Sequence, residues 1–220
     1  MKKFLSITVF ISALLLISCQ SKEEKAEKLI YEQLNNTLYD IDSYDPISTT
    51  VEKAYQTGYN DSVCFALALV TSYSLTQTQE YLEKAENAQR YMDIWGAPTY
   101  YSSTYSDNQY YRYQKESDEN LQLAQASLMV TIHTGKELQD SIMKLDNSKE
   151  IGWQVTHNFR CKTQGGMSTI AHYRYIIDQD FHRILLIEDL DDEDYSRARE
   201  IIQMAIDKEF DEYNETDAYQ

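Results

Sequence analysis

The spacing of apolar residues changes near residue 150, and that change limits the folds open to this chain. Before it, Leu121, Ala124, Leu128, Thr131, Gly135, Leu138, Ile142 and Leu145 recur at alternating intervals of three and four, a series that runs back through Ser117, Gln114 and Tyr110. This is a helical seam in heptad register. Upstream, Tyr81, Ala85, Ala88, Met92 and Trp95 keep the same rhythm, and Gly96 and Pro98 end it. Two seams joined by a short connection bury against each other, so a helical hairpin is expected over 61–146, with Ala85, Ala88, Ala124 and Gly135 allowing close approach. Beyond it, Trp153, Val155, His157, Phe159 and Cys161 alternate with Gln154, Thr156, Asn158 and Arg160, the two-residue period of a half-buried strand. A chain that switches from one period to the other is of the α+β class.

The sheet is expected within 151–189 and to hold about three antiparallel strands. Placing Ala171, Tyr173, Tyr175 and Ile177 on the same face as Val155 and Phe159 requires an odd loop, Gln164-Gly165-Gly166 with a bulge. That loop sets Phe159 opposite Ala171 and Val155 opposite Tyr175. The segment "ISTTVEKAY" reads as a short strand or an extended connection. Flanking helices are expected at both ends. One runs from about Lys22 to Tyr39 with Ala26, Ile30, Gln33 or Leu34, and Leu38; the other carries Tyr195, Ala198, Ile201, Ile202, Ala205, Ile206 and Phe210. The expected organisation is a single domain over 26–213 followed by a frayed tail at 214–220.

The N-terminal "MKKFLSITVFISALLLISC" sets two lysines before an apolar run that is too short to span a bilayer, as a secretory leader does. Leu16-Ile17-Ser18-Cys19 resembles the bacterial lipobox. The resemblance implies cleavage after residue 18, acylation of Cys19, and a tether over 19–25 leading from a membrane, with "QSKEEK" similar to tethers of outer-membrane lipoproteins. Of 20 basic and 36 acidic residues the leader holds two lysines, which leaves 18 basic against 36 acidic. A surface this acidic repels nucleic acid and anionic headgroups, so no nucleic-acid partner is expected.

Chemistry-bearing residues are scattered. His157 and Cys161 share a strand face, but four residues at ~3.3 Å each separate them by ~13 Å, which reads as a bonded core histidine and not a dyad. The run from Glu188 to Tyr195 lacks the glycine of an EF-hand loop and reads as a helix cap. Gly165-Gly166 joins two strands and so offers no helix N-terminus to a phosphate. Cys64 and Cys161 could pair, or each could be a small buried residue. No catalytic residue, no metal ligand and no cofactor is expected.

The segments "LYDIDSYDPISTTVEKAY", "YMDIWGAPTYY" and "IGWQVTHNFRCKTQGGMSTIAHYRYIIDQDF" resemble a family of small uncharacterised bacterial lipoproteins that carry a GWxVxHxFR strand, a Gly-rich turn and a helical insert before it. The resemblance implies a lipid-anchored α+β module and no activity. Two functions follow as expectations. One is a non-enzymatic interaction or scaffold module that uses the hairpin. The other is a carbohydrate- or peptide-binding protein in which Tyr100, Tyr101 and Tyr105, placed in the connection after Pro98, form an aromatic platform.

Overall fold

A computed structural model describes residues 20–211. The leader, Cys19 and the tail at 214–220 lie outside the described residues. The fold is α+β, and the described chain divides into two compact units, residues up to 55 with 149–191 and residues 56–148 with those from 192 onward.

The first unit sets helix α1 (Lys22–Thr37) against a four-stranded antiparallel sheet of β1 (Asp45–Tyr55), β2 (Glu150–Lys162), β3 (Ser168–Ile177) and β4 (Ile184–Asp189), in that spatial order. Residues 22–25 of the expected tether form the first turn of α1. Ser21 caps it, accepting from the Glu24 N–H at 3.1 Å while the Glu24 carboxylate accepts from the Ser21 N–H at 3.2 Å. The sheet has four strands where about three were expected. The additional one is "ISTTVEKAY", extended to begin at Asp45, which pairs with β2 along its whole length with irregularities at Pro46/Ser48 and Ala54/Tyr55. Most of its side chains are exposed, so the alternation that marks a half-buried strand is absent from its sequence.

Strands β2 and β3 pair in the expected register, Phe159 opposite Ala171 and Val155 opposite Tyr175. The turn is the three-residue loop Gln164–Gly166, closed by Thr163 N–H to Met167 O at 2.9 Å, with Gly166 at φ 76°. A side chain at Gly166 would strain that backbone. Gly152, the glycine of the GWxVxHxFR pattern, adopts φ 148°, and a Cβ there would lie 2.0 Å from the Ile177 carbonyl oxygen. That position is closed to other residues for steric reasons. Ala26, Ile30 and Leu34, one stripe of α1 at intervals of four, pack on Val155, Phe159, Cys161, Tyr175 and Ile177. Each large apolar side chain so buried contributes ~1.5–3 kcal/mol.

The second unit is the hairpin of α2 (Ser62–Trp95) and α3 (Thr104–Met143), with α4 (Glu193–Ile206) and a 3₁₀ turn at Glu209–Asp211. Asp61 caps α2 by accepting from the Val63 and Cys64 N–H groups, and Asp192 caps α4 by accepting from the Tyr195 N–H at 2.9 Å. The acidic run thus supplies a cap and, with Glu193 and Asp194, charges suited to the helix dipole. Ala198, Ile201, Ile202 and Ala205 of α4 join Cys64, Ala68, Leu138 and Phe210 in one core.

The seam holds over most of its predicted positions but drifts at its ends. Ser117, Ala124, Thr131, Gly135 and Leu138 are buried, whereas Leu121 and Gln114 are exposed and Tyr110 is half-buried. A straight helix of 3.6 residues per turn slides ~20° per heptad from a 3.5-residue pattern, which carries Gln114 and Tyr110 away from the contact, whereas Leu121 is exposed within the seam, between the buried Ser117 and Ala124. Gln139, which the same pattern places outside, is buried, its side-chain amide donating to Asp211 Oδ1 at 2.7 Å. Cys64 and Cys161 are both buried and free.

Candidate functional site

Of the candidate residues in the described chain, the three tyrosines lie near the closed end of the hairpin, Tyr100 with Tyr101 and Tyr105 with Trp95. Helix α2 stops because Gly96 turns to φ 69° while its N–H still bonds Met92 O at 2.9 Å. A tight turn follows, in which the Ser102 N–H donates to Thr99 O at 3.1 Å and the Thr99 N–H to Ser102 Oγ at 3.0 Å. Ser102 Oγ also lies 2.5 Å from Asp107 Oδ1, which ties the turn to the first turn of α3. Tyr100 and Tyr101 are the two central residues of this turn, and its geometry aims both side chains outward. They are 95% and 93% exposed, with ring centroids 5.3 Å apart and planes at 90°.

Tyr105 does not sit in the connection, as its position after Pro98 suggested. Ser103 caps α3 by accepting from the Ser106 N–H at 3.1 Å, so Tyr105 falls within the first helical turn. From there its ring meets Trp95 edge-on at 5.6 Å. Below this pair, Tyr91 and Tyr113 stack across the hairpin at 4.8 Å with planes 17° apart, and the Arg112 guanidinium lies 5.1 Å from the Tyr113 ring centre. The Tyr91–Tyr113 pair was not foreseen. Its signal was present in the sequence, because Tyr91 lies four residues before Trp95 and so on the same helical face.

The tip therefore offers two fully hydrated rings above a ledge of paired aromatics, surrounded by hydroxyl and carboxylate groups. Rings of this kind can stack on the apolar face of a sugar or on a peptide side chain, with their hydroxyls free to bond outward.

His157, the other residue singled out in the sequence, is fully buried on the α1 face of the sheet. Its Nδ1 lies 2.9 Å from Thr49 Oγ1 and its Nε2 2.9 Å from the Tyr44 hydroxyl, and its ring stacks on Phe159 at 5.5 Å. Both nitrogens are thus satisfied by hydroxyls rather than by Cys161. Burial holds the His157 imidazole below its ordinary pKa, with Glu27 pulling weakly the other way. Burial also pushes the Tyr44 hydroxyl up to about 12, with Glu27 adding to the effect. Tyr173 is likewise pushed up to about 12, first by burial and then by its hydrogen bond to Asp189. This polar network holds the sheet's inner face together. Among the described residues no cluster of His, Cys, Asp or Glu is arranged to hold a metal ion.

No family model matches the chain, and no curated protein and no solved structure matches it either.

Proposed function

We propose that the protein is a lipid-anchored module of the bacterial cell envelope, of the kind its sequence resembles, that works by binding rather than by catalysis. Lipidation at Cys19 would hold it at a membrane, and the aromatic tip of the hairpin would engage a partner. The observation that supports the binding reading is the exposure of Tyr100 and Tyr101 at the centre of a turn whose own hydrogen bonds are already closed. Two large rings held in water bury almost nothing within the fold, which leaves their faces and hydroxyls open to a partner.

The orthogonal rings and the surrounding hydroxyls favour a carbohydrate or peptide as that partner. Immobilised full chain is expected to retain a subset of glycans or envelope proteins. Replacing Tyr100, Tyr101 and Tyr105 with serine is expected to abolish that retention while the circular dichroism stays the same. Retention unchanged in the triple variant would remove the tip from the proposal. For the anchor, Cys19→Ala expressed in a diderm bacterium is expected to leave the membrane fraction or to accumulate unprocessed. A variant that still fractionates with membranes at the wild-type mass would end the lipoprotein reading.

A further inference from the structure

The join between the lipidation site and the fold is short. Of the tether expected over 19–25, residues 22–25 belong to the first turn of α1, which the capping box on Ser21 fixes at its start. Successive Cα atoms lie ~3.8 Å apart, so Ser21 stands at most ~8 Å from Cys19, where a free tether would let residue 25 reach ~23 Å. The headgroup layer of a bilayer is itself ~5–8 Å deep on each side. An acylated Cys19 would therefore hold the start of α1 at the headgroups.

That first turn is fastened to the sheet. Lys22 Nζ lies 3.8 Å from the ring centre of Trp153 at the start of β2, and Lys25 Nζ lies 5.9 Å from that of Phe181 between β3 and β4. The two rings are half-buried and stack on each other at 5.6 Å with planes 17° apart, and the Trp153 indole N–H donates to Gln179 O at 3.0 Å. Phe181 reaches Trp153 from a left-handed backbone, φ 59°, a conformation uncommon for an aromatic residue. The Asp178 carboxylate closes the turn around it, accepting from the His182 and Arg183 N–H groups at 2.7 and 3.2 Å. The starts of α1 and β2 and the β3–β4 turn thus make up one end of the sheet unit, and whatever fixes the helix start fixes all three.

We propose that this end is a membrane-contact surface, seated on the headgroup layer with Trp153 and Phe181 at its outer boundary and Lys22, Lys25 and Arg183 toward the lipid phosphates. The proposal rests on the anchor reading given above. Tryptophan collects at this depth of a bilayer, and lysine stems cover apolar surface while their ammonium groups reach outward. Anionic lipid opposes the approach of a chain in which 36 acids face 20 bases. The three cations at this end offset that repulsion locally. Of the acids beside them, Glu24 is turned back onto the Ser21 N–H, Asp178 onto its own turn, and Glu150 is paired with Lys53 at 2.7 Å. Glu23 and Asp180 are the other acids of the first helical turn and the β3–β4 turn.

Contact quenching of Trp153 tests this. In a Trp95→Phe background Trp153 is the only tryptophan. The full chain is matured in a diderm bacterium, its mass is checked for the acyl chains, and it is reconstituted in vesicles of phosphatidylethanolamine and phosphatidylglycerol. A nitroxide carried on the lipid headgroup is expected to reduce Trp153 emission by half or more, and one at the middle of the acyl chain to reduce it far less. Lys25→Glu with Arg183→Glu, which keeps Lys22 over the ring, is expected to remove most of the headgroup quenching while the acylated mass stays that of the wild type. Lys162→Glu, at the other end of β2 and ~30 Å from Trp153, is expected to leave the quenching unchanged. An acylated chain whose Trp153 ignores the headgroup nitroxide overturns this proposal alone. An equal loss from Lys162→Glu overturns it too, because net charge and not this end would then set the contact. A chain whose mass lacks the acyl groups ends the anchor reading and this proposal with it.

Discussion

The two units solve the problem of burial with different side chains. In the sheet unit Phe159, Tyr175, Ile30 and Ile177 are fully enclosed, and a row of rings running Tyr44, Phe159, Tyr173, Tyr175 covers the inner face at centroid separations of 5.4–6.0 Å. In the tip half of the hairpin, the buried set is Ala85, Ala88, Met92 and Ser117. The lesson is that a long helical pair can be specified by close approach of small residues while gaining little apolar burial. Its larger side chains are then left available for contacts of their own.

The largest effects should fall where the largest side chains are enclosed. Phe159→Ala is expected to cost ~3–5 kcal/mol and Leu138→Ala, in the base of the hairpin, ~2–5 kcal/mol. Ala88→Gly in the tip half should cost ~1 kcal/mol, chiefly through helix propensity. Because the chain has two tryptophans, Trp153 in the sheet unit and Trp95 at the tip, denaturant titrations of Trp95→Phe and Trp153→Phe backgrounds follow the units separately. Amide exchange should be faster along 81–95 and 104–120 than along β2. Equal protection would mean that the small-residue seam is as strong as the aromatic core.

A smaller effect tests how close the packing is at the base of the hairpin. A Cβ at Gly135 would lie 2.4 Å from Phe210 Cδ1. Gly135→Ala therefore forces the ring to move and is expected to cost ~1–3 kcal/mol as overpacking, despite the better helix propensity of alanine. A gain in melting temperature would show that Phe210 moves aside freely and that the 3₁₀ turn is not part of the core.

How much of this was legible in the sequence depended on whether the partner lay nearby in the chain. The β2–β3 register followed from alternation and loop parity alone, since Val155 and Tyr175 are joined by one short turn. The hairpin followed from two seams around one connection. Strand β1 reads in the sequence as either a short strand or an extended connection, because it is an exposed edge and shows no alternation. The burial of Gln139 was invisible because its partner Asp211 lies in a distant turn. At the tip, Tyr100 and Tyr101 were placed correctly by Pro98, whereas the Ser103 cap that moves Tyr105 into the helix was overlooked.

The sheet unit should answer to mild acid through its buried histidine. His157 is held neutral by burial, so its pKa in the folded state lies below that of the unfolded chain, ~6.5. The unfolded chain therefore takes up the proton first. The contribution to stability is complete above about pH 6.5 and is lost as the pH falls toward the folded pKa. Unfolding followed by Trp153 should show this dependence, and His157→Gln should flatten it at some cost in baseline stability from the altered contacts with Tyr44 and Thr49. An identical slope in the variant would assign the pH dependence to other groups.

The smallest effects belong to the tip, where the comparison can be made within a few residues. Tyr91 and Tyr113 are stacked across the two helices, and breaking that pair with Tyr113→Ala should forfeit ~0.5–1.5 kcal/mol beyond the area lost. Tyr100 and Tyr101 bury almost nothing, and the turn beneath them is closed by Thr99, Ser102 and Asp107 without their hydroxyls. Tyr100→Ser with Tyr101→Ser should therefore shift stability by less than ~0.5 kcal/mol. Melting curves of the two variants, read through Trp95, separate rings that hold the hairpin closed from rings free to meet a partner. If the double serine variant melts as early as Tyr113→Ala, the exposed pair is structural and the tip loses its claim as a binding platform. If it melts with the wild type, any loss of ligand capture in that variant can be assigned to the rings themselves.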